Sequence, residues 1–164
     1  MTRGRKPRRP RWLPTNTLTL ARHRAGKLSG EELASVMRPL QAAFTAMRRG
    51  VATELDWSHL ASAVNVAMAI EAQGIVKGLR EHFTAAELAI AGIKRRAMDS
   101  GEWKPTALYY LELDALTTAI ELHQFQLENL SHGEFNRALD HAEAEIRSTG
   151  GLVIQAVHTR AQHV

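Results

Sequence analysis

The sequence predicts an all-α protein, a bundle of four to five helices preceded by a disordered basic N-terminal arm. Three observations carry that reading. Apolar residues recur at alternating steps of three and four in several segments, the period of a helix seam packed on other helices. Two six-residue stretches, Leu28-Ser29-Gly30-Glu31-Glu32-Leu33 and Leu130-Ser131-His132-Gly133-Glu134-Phe135, carry the residues that start a helix. Glycine and proline then punctuate the chain at Gly50, Gly74, Gly101 with Pro105, and Gly150-Gly151, which separates the periodic segments into lengths that helices adopt.

With 164 residues the chain is long enough for one domain with its own core, because a domain of about 150 residues buries roughly two thirds of its unfolded surface. Cysteine is absent, so neither a disulfide nor a thiolate takes part in folding or chemistry. The longest apolar stretch, residues 60–70, is interrupted by Ser62 and Asn65 and is far shorter than the ~20 residues of a membrane span. No apolar segment of signal-sequence type follows the basic start, and a cytoplasmic location is expected.

Charge is distributed unevenly. Residues 1–27 hold nine of the 21 Lys and Arg and no acid, while residues 28–164 hold the other 12 against all 17 acids. A strongly cationic start is thus joined to a mildly anionic body. Residues 1–14 contain Arg3, Arg5, Lys6, Arg8, Arg9 and Arg11, three prolines, and Trp12 as the single aromatic. Mutual repulsion and little apolar surface predict a disordered arm.

Residues 15–27 predict a short helix or linker, capped by Asn16 or Thr17, with Leu18 and Ala21 facing inward and Gly26 as the stop. Residues 28–149 form the expected bundle. Its first helix opens on a capping box, Ser29 with Glu32, and a staple, Leu28 with Leu33. Its seam is Leu33, Val36, Leu40, Ala43 and Met47, and Pro39 predicts a kink or split near Val36. A second helix starts from Thr53 and Asp56 and has the small seam Leu60, Ala63, Ala67 and Ile70. A third steps through Leu79, Phe83, Ala86, Ile90, Ile93 and Ala97, with Trp103 covering a bundle end beyond it. Thr106 to Leu130, with Tyr109, Leu113, Leu116, Ile120, His123, Leu127 and Leu130 in register, is the expected spine, capped by Thr106. The last helix follows Ser131 and ends near Arg147, and residues 150–164 are a tail.

Candidate chemistry is sparse. No nucleophile elbow, Walker loop or dinucleotide glycine motif occurs, so no enzyme and no cofactor is expected. A di-iron bundle needs a Glu from each of two helices and two Glu-x-x-His pairs; Asp56-x-x-His59 is half of one, and reads as a cap beside an exposed histidine. His123 sits on the predicted seam and, if buried, needs a hydrogen-bond partner. The arm carries the main functional expectation. Arg3, Arg5, Lys6, Arg8, Arg9, Arg11 and Trp12 are the candidate nucleic-acid contacts, since clustered cations neutralise phosphates without reading bases. Arg48, Arg49, Arg95 and Arg96 lie at predicted helix ends, where the helix dipole already accounts for them. The helix after Ser131 carries Glu134, Asp140, Glu143 and Glu145, which phosphates would repel. A protein partner or a second copy of the chain, through the helical faces, is the other expectation; a membrane is not.

The segment from about Ser35 to Arg147 resembles a group of small helical proteins of proteobacteria, their plasmids and their phages. The residues that carry this are Arg49-Gly50-Val51-Ala52-Thr53, Asp56-Trp57, Asn65-Val66-Ala67, Gly101-Glu102-Trp103 and Gln126-Leu127-x-x-Leu130-Ser131-x-Gly133-Glu134-Phe135. Some of that group carry transcriptional-regulator labels, but the group brings no established activity. The resemblance implies a mobile-element setting.

Overall fold

The computed structural model describes residues 17–149, so the arm with its seven candidate contacts and the tail lie outside it. Six α-helices account for the described chain: α1 (Thr17–Ala25), α2 (Gly30–Arg48), α3 (Glu54–Ala72), α4 (Arg80–Ala97), α5 (Tyr110–Asn129) and α6 (His132–Ser148). No strand occurs among the described residues; one isolated antiparallel bridge joins Lys27 to Ser131. The fold is all-α, and six helices stand where four to five are expected because α1 forms in addition to five bundle helices. None of them is long and apolar enough to cross a membrane.

Local chemistry sets the helix starts. The Ser29, Thr53 and Ser131 hydroxyls accept from the backbone N–H of Glu32, Asp56 and Glu134, whose carboxylates accept in return from the N–H of the capping residue. These are three complete capping boxes. Each of the three carboxylates is held below the usual carboxylate range, chiefly by hydrogen bonds from its capping residue. Helix stops follow glycine: Gly50, Gly74 and Gly101 all take positive φ just past a helix end, a conformation that costs a residue with a Cβ.

Three expectations are corrected. Pro39 does not split α2, which runs unbroken through it; Pro39 and Ser35 are both exposed, so the Ser35 carbonyl deprived of its donor faces water. Thr106 does not cap α5. The helix begins four residues later, where the Glu112 carboxylate accepts from the Tyr109 N–H at 2.9 Å. Ala21 does not face inward, because α1 lies against α6 with residues 19–27 exposed.

The centre of the bundle is α3, not α5. Four helices, α2, α4, α5 and α6, pack against it. Trp57, Leu60, Ala61, Val64, Ala67, Ala69 and Ile70 are buried around nearly its whole circumference. A helix buried around most of its circumference belongs in a core, and four alanines (61, 63, 67 and 69) let neighbouring backbones approach it closely. Two tryptophans tie the bundle together, Trp57 from the core and Trp103 from its edge. The Trp57 indole N–H donates to the Ile90 carbonyl at 3.0 Å, and the Trp103 N–H donates to the Ala52 carbonyl at 2.8 Å, closing the bundle end as expected.

Candidate functional site: an apolar groove edged by a neutral histidine

The expected row of α5 is buried at Leu116, His123, Leu127 and Leu130, while Tyr109 is exposed and the buried face widens to take in Glu112, Ala119 and Gln126. Three of these seven buried residues are polar. Each polar member therefore needs a partner inside the protein.

Glu112 finds Arg96 of α4. Both carboxylate oxygens accept from the guanidinium at 2.6 Å, while the Arg96 Nε–H donates to the Thr106 hydroxyl and one Nη–H to the Ala107 carbonyl. The guanidinium also lies 4.2 Å from the centre of the Tyr109 ring. The Glu112 carboxylate raises the Arg96 pKa further above its ordinary value. Arg96 thus fastens residues 106–109 to α4, and its charge is spent within the fold. Lys94 lies 4.3 Å above the Trp57 ring.

His123 and Gln126 form the second polar unit. The Gln126 side-chain N–H donates to the Ala67 carbonyl of α3 at 3.1 Å, and its Oε1 lies 3.4 Å from His123 Nδ1. Because a backbone carbonyl only accepts, the amide orientation is fixed by Ala67, and Oε1 faces the histidine as an acceptor. The proton of His123 is accordingly assigned to Nδ1, leaving Nε2 as a bare acceptor. The residue is 4% exposed, and burial pushes its pKa down to about 4, so it is neutral at physiological pH.

His123 lines a groove of about 170 Å³ between α2, α3, α5 and α6. Val36, Pro39 and Leu40 form one wall, Ala63 and Val66 the floor, and Phe135 and Leu139 the other wall, with His59 and Ser62 as the remaining polar lining. The same imidazole also borders a small apolar cavity of about 10 Å³ between α2, α3, α4 and α5. Sequence reasoning treats His59 and His123 separately; the fold brings both to one groove. Asp56 is not part of it chemically, since its carboxylate takes hydrogen bonds from the Thr53 N–H and hydroxyl at 2.8 and 2.7 Å. Among the described residues no three His, Asp or Glu side chains come together in a way that could hold a metal ion. The partner that sequence reasoning misses is Gln126. It stands three residues after His123, the spacing that puts two side chains on one helix face.

No family model, no curated protein and no solved structure matches the chain.

Proposed function

We propose that the chain is a non-enzymatic binding or adaptor protein of a phage or plasmid setting, acting in the cytoplasm, whose basic arm contacts nucleic acid. The observation that carries this reading is the charge division: nine cations and no acid in residues 1–27, and an excess of acid in the remainder. Arg3, Arg5, Lys6, Arg8, Arg9 and Arg11 would neutralise phosphates, and Trp12 would stack on an unpaired base. The end of the short helix that follows the arm is held to the body, which favours a tethered contact: the His132 N–H donates to the Gly26 carbonyl at 2.9 Å beside the Lys27–Ser131 bridge. The test is retention of the full chain, and of a chain starting at Thr15, on double- and single-stranded DNA and RNA across a salt series. Binding that falls steeply with salt and disappears on truncation is expected. Equal retention of the two proteins at low salt refutes the reading.

A second reading rests on a different surface. Tyr109, Tyr110 and Leu111 are consecutive and 62–78% exposed at the start of α5, an apolar patch suited to a protein partner or a second copy of the chain. A protein partner whose capture survives nuclease and arm removal, but is lost in a Tyr110→Ser, Leu111→Ser double variant, would favour it.

A further inference from the structure

We infer that the groove between α2, α3, α5 and α6 is a binding site for a single-ring molecule bearing one hydrogen-bond donor, of the phenol class, with His123 Nε2 as the acceptor. Two independent observations point to this ligand. The first is size and lining. An apolar cavity of about 150 Å³ suffices to take up benzene, and this groove offers about 170 Å³ walled by Val36, Leu40, Val66, Phe135 and Leu139. A larger fused-ring or long-chain molecule would extend beyond that volume.

The second observation is an unmet hydrogen-bonding group. His123 is 96% removed from solvent, and its Nδ1 is committed to Gln126. No described residue donates to Nε2, yet this atom is not sealed away, since among the described residues the only fully enclosed side-chain polar atoms without a partner belong to Gln73. The spaces that His123 lines are the groove and the 10 Å³ cavity. The 10 Å³ cavity offers that nitrogen nothing, as its other lining residues are apolar and a water there would have a single polar partner. The groove is large enough to deliver a donor.

The Gln126–Ala67 contact determines which ligands fit. It fixes the histidine as an acceptor in the groove, which suits a hydroxyl or ring N–H. Binding involves no proton transfer: the ligand's O–H donates to Nε2 while its ring displaces groove water against the apolar walls. Proline at position 39 helps by presenting a ring to the groove from a helix face without adding a backbone donor.

The experiment titrates the full-length protein with phenol and with toluene, which has a methyl in place of the hydroxyl, and follows the imidazole nitrogens by NMR. Saturable binding of phenol is expected, with the His123 Nε2 resonance shifted and Nδ1 nearly unmoved, whereas toluene occupies the groove without shifting Nε2. In His123→Phe the ratio of phenol to toluene affinity should fall roughly three- to tenfold, the effect of one neutral hydrogen bond. Ala63→Leu, which fills the floor, should abolish binding of both. Absence of saturable phenol binding, an unmoved Nε2 resonance, or phenol binding that survives Ala63→Leu would each overturn the proposal, and the first and second need no variant to fold. None of these outcomes depends on the arm.

Discussion

Acidification should unfold this protein through His123, and the magnitude follows from its burial. The ordinary histidine pKa is 6.5 and the folded value is about 4. A depressed pKa means that the unfolded chain takes up the proton first. Below pH 6.5 the unfolded state therefore binds more protons than the folded one, and stability declines as pH falls until the folded imidazole itself titrates near 4. Each pKa unit corresponds to 1.36 kcal/mol, so this one residue removes about 3 kcal/mol between pH 7 and pH 4. That is a large share of the roughly 5–15 kcal/mol by which domains are stable. The comparison protein is His123→Asn, in which a side-chain N–H stands in for the Nδ1 donor to Gln126 but nothing titrates. It will be less stable at neutral pH because of the volume lost. The diagnostic quantity is the slope. Urea unfolding at half-unit steps from pH 7.5 to 4.5 should give midpoints that fall more steeply in the native chain than in the variant. The Glu32, Asp56 and Glu134 carboxylates, whose lowered pKa values make their contributions disappear only at lower pH, are common to both proteins and cancel. Parallel slopes would refute the assignment of a neutral, desolvated imidazole.

Three further outcomes are expected. Gln126→Leu removes the donor to Ala67 and the acceptor for His123 at a fully buried position, and should cost about 2–3 kcal/mol in chemical denaturation, beyond what its similar volume would suggest. Ser131→Ala, which breaks one capping box, should cost about 1 kcal/mol; a change under a few tenths would show that the α6 start is held by packing alone. Pro39→Ala should raise the thermal midpoint, since it restores the N–H for the Ser35 carbonyl on an exposed helix face, by up to about 3 kcal/mol in stability; a lower midpoint would mean that the proline ring packs better than the restored bond.

What the sequence discloses about this fold depends on how local the cause is. The starts at Ser29, Thr53 and Ser131 are legible because a capping box involves four consecutive residues and little else. The α4 seam is legible because Phe83, Ala86, Ile90, Ile93 and Ala97 are both periodic and buried. The face of α5 is legible only in part: Leu116, His123, Leu127 and Leu130 lie on the predicted row and are buried, but Glu112 and Gln126 are buried too, and an apolar pattern rejects them. Each of those two is tolerated because Arg96 or Ala67, on another helix, provides a partner. The start of α5 is misread for the same reason: Glu112 and Arg96 hold residues 106–109 out of the helix. The rank of α3 as the central helix depends on its packing against four other helices, although its run of small and apolar residues is a clue. The groove was only half visible, as His59 and His123, with no sequence pattern linking two residues 64 positions apart.

The Lys27–Ser131 bridge has a consequence for how the chain opens. It closes a loop of roughly a hundred residues with very few bonds, and α1, which it anchors, has no buried residue among 19–27. Detachment of α1 therefore requires almost none of the free energy that global unfolding does, and amide exchange should find Gly26 and His132 opening while the α3 core stays closed. Nine helical residues span about 14 Å but up to about 30 Å when extended. A segment that melts under light load in this way roughly doubles the distance between Thr17 and its anchorage.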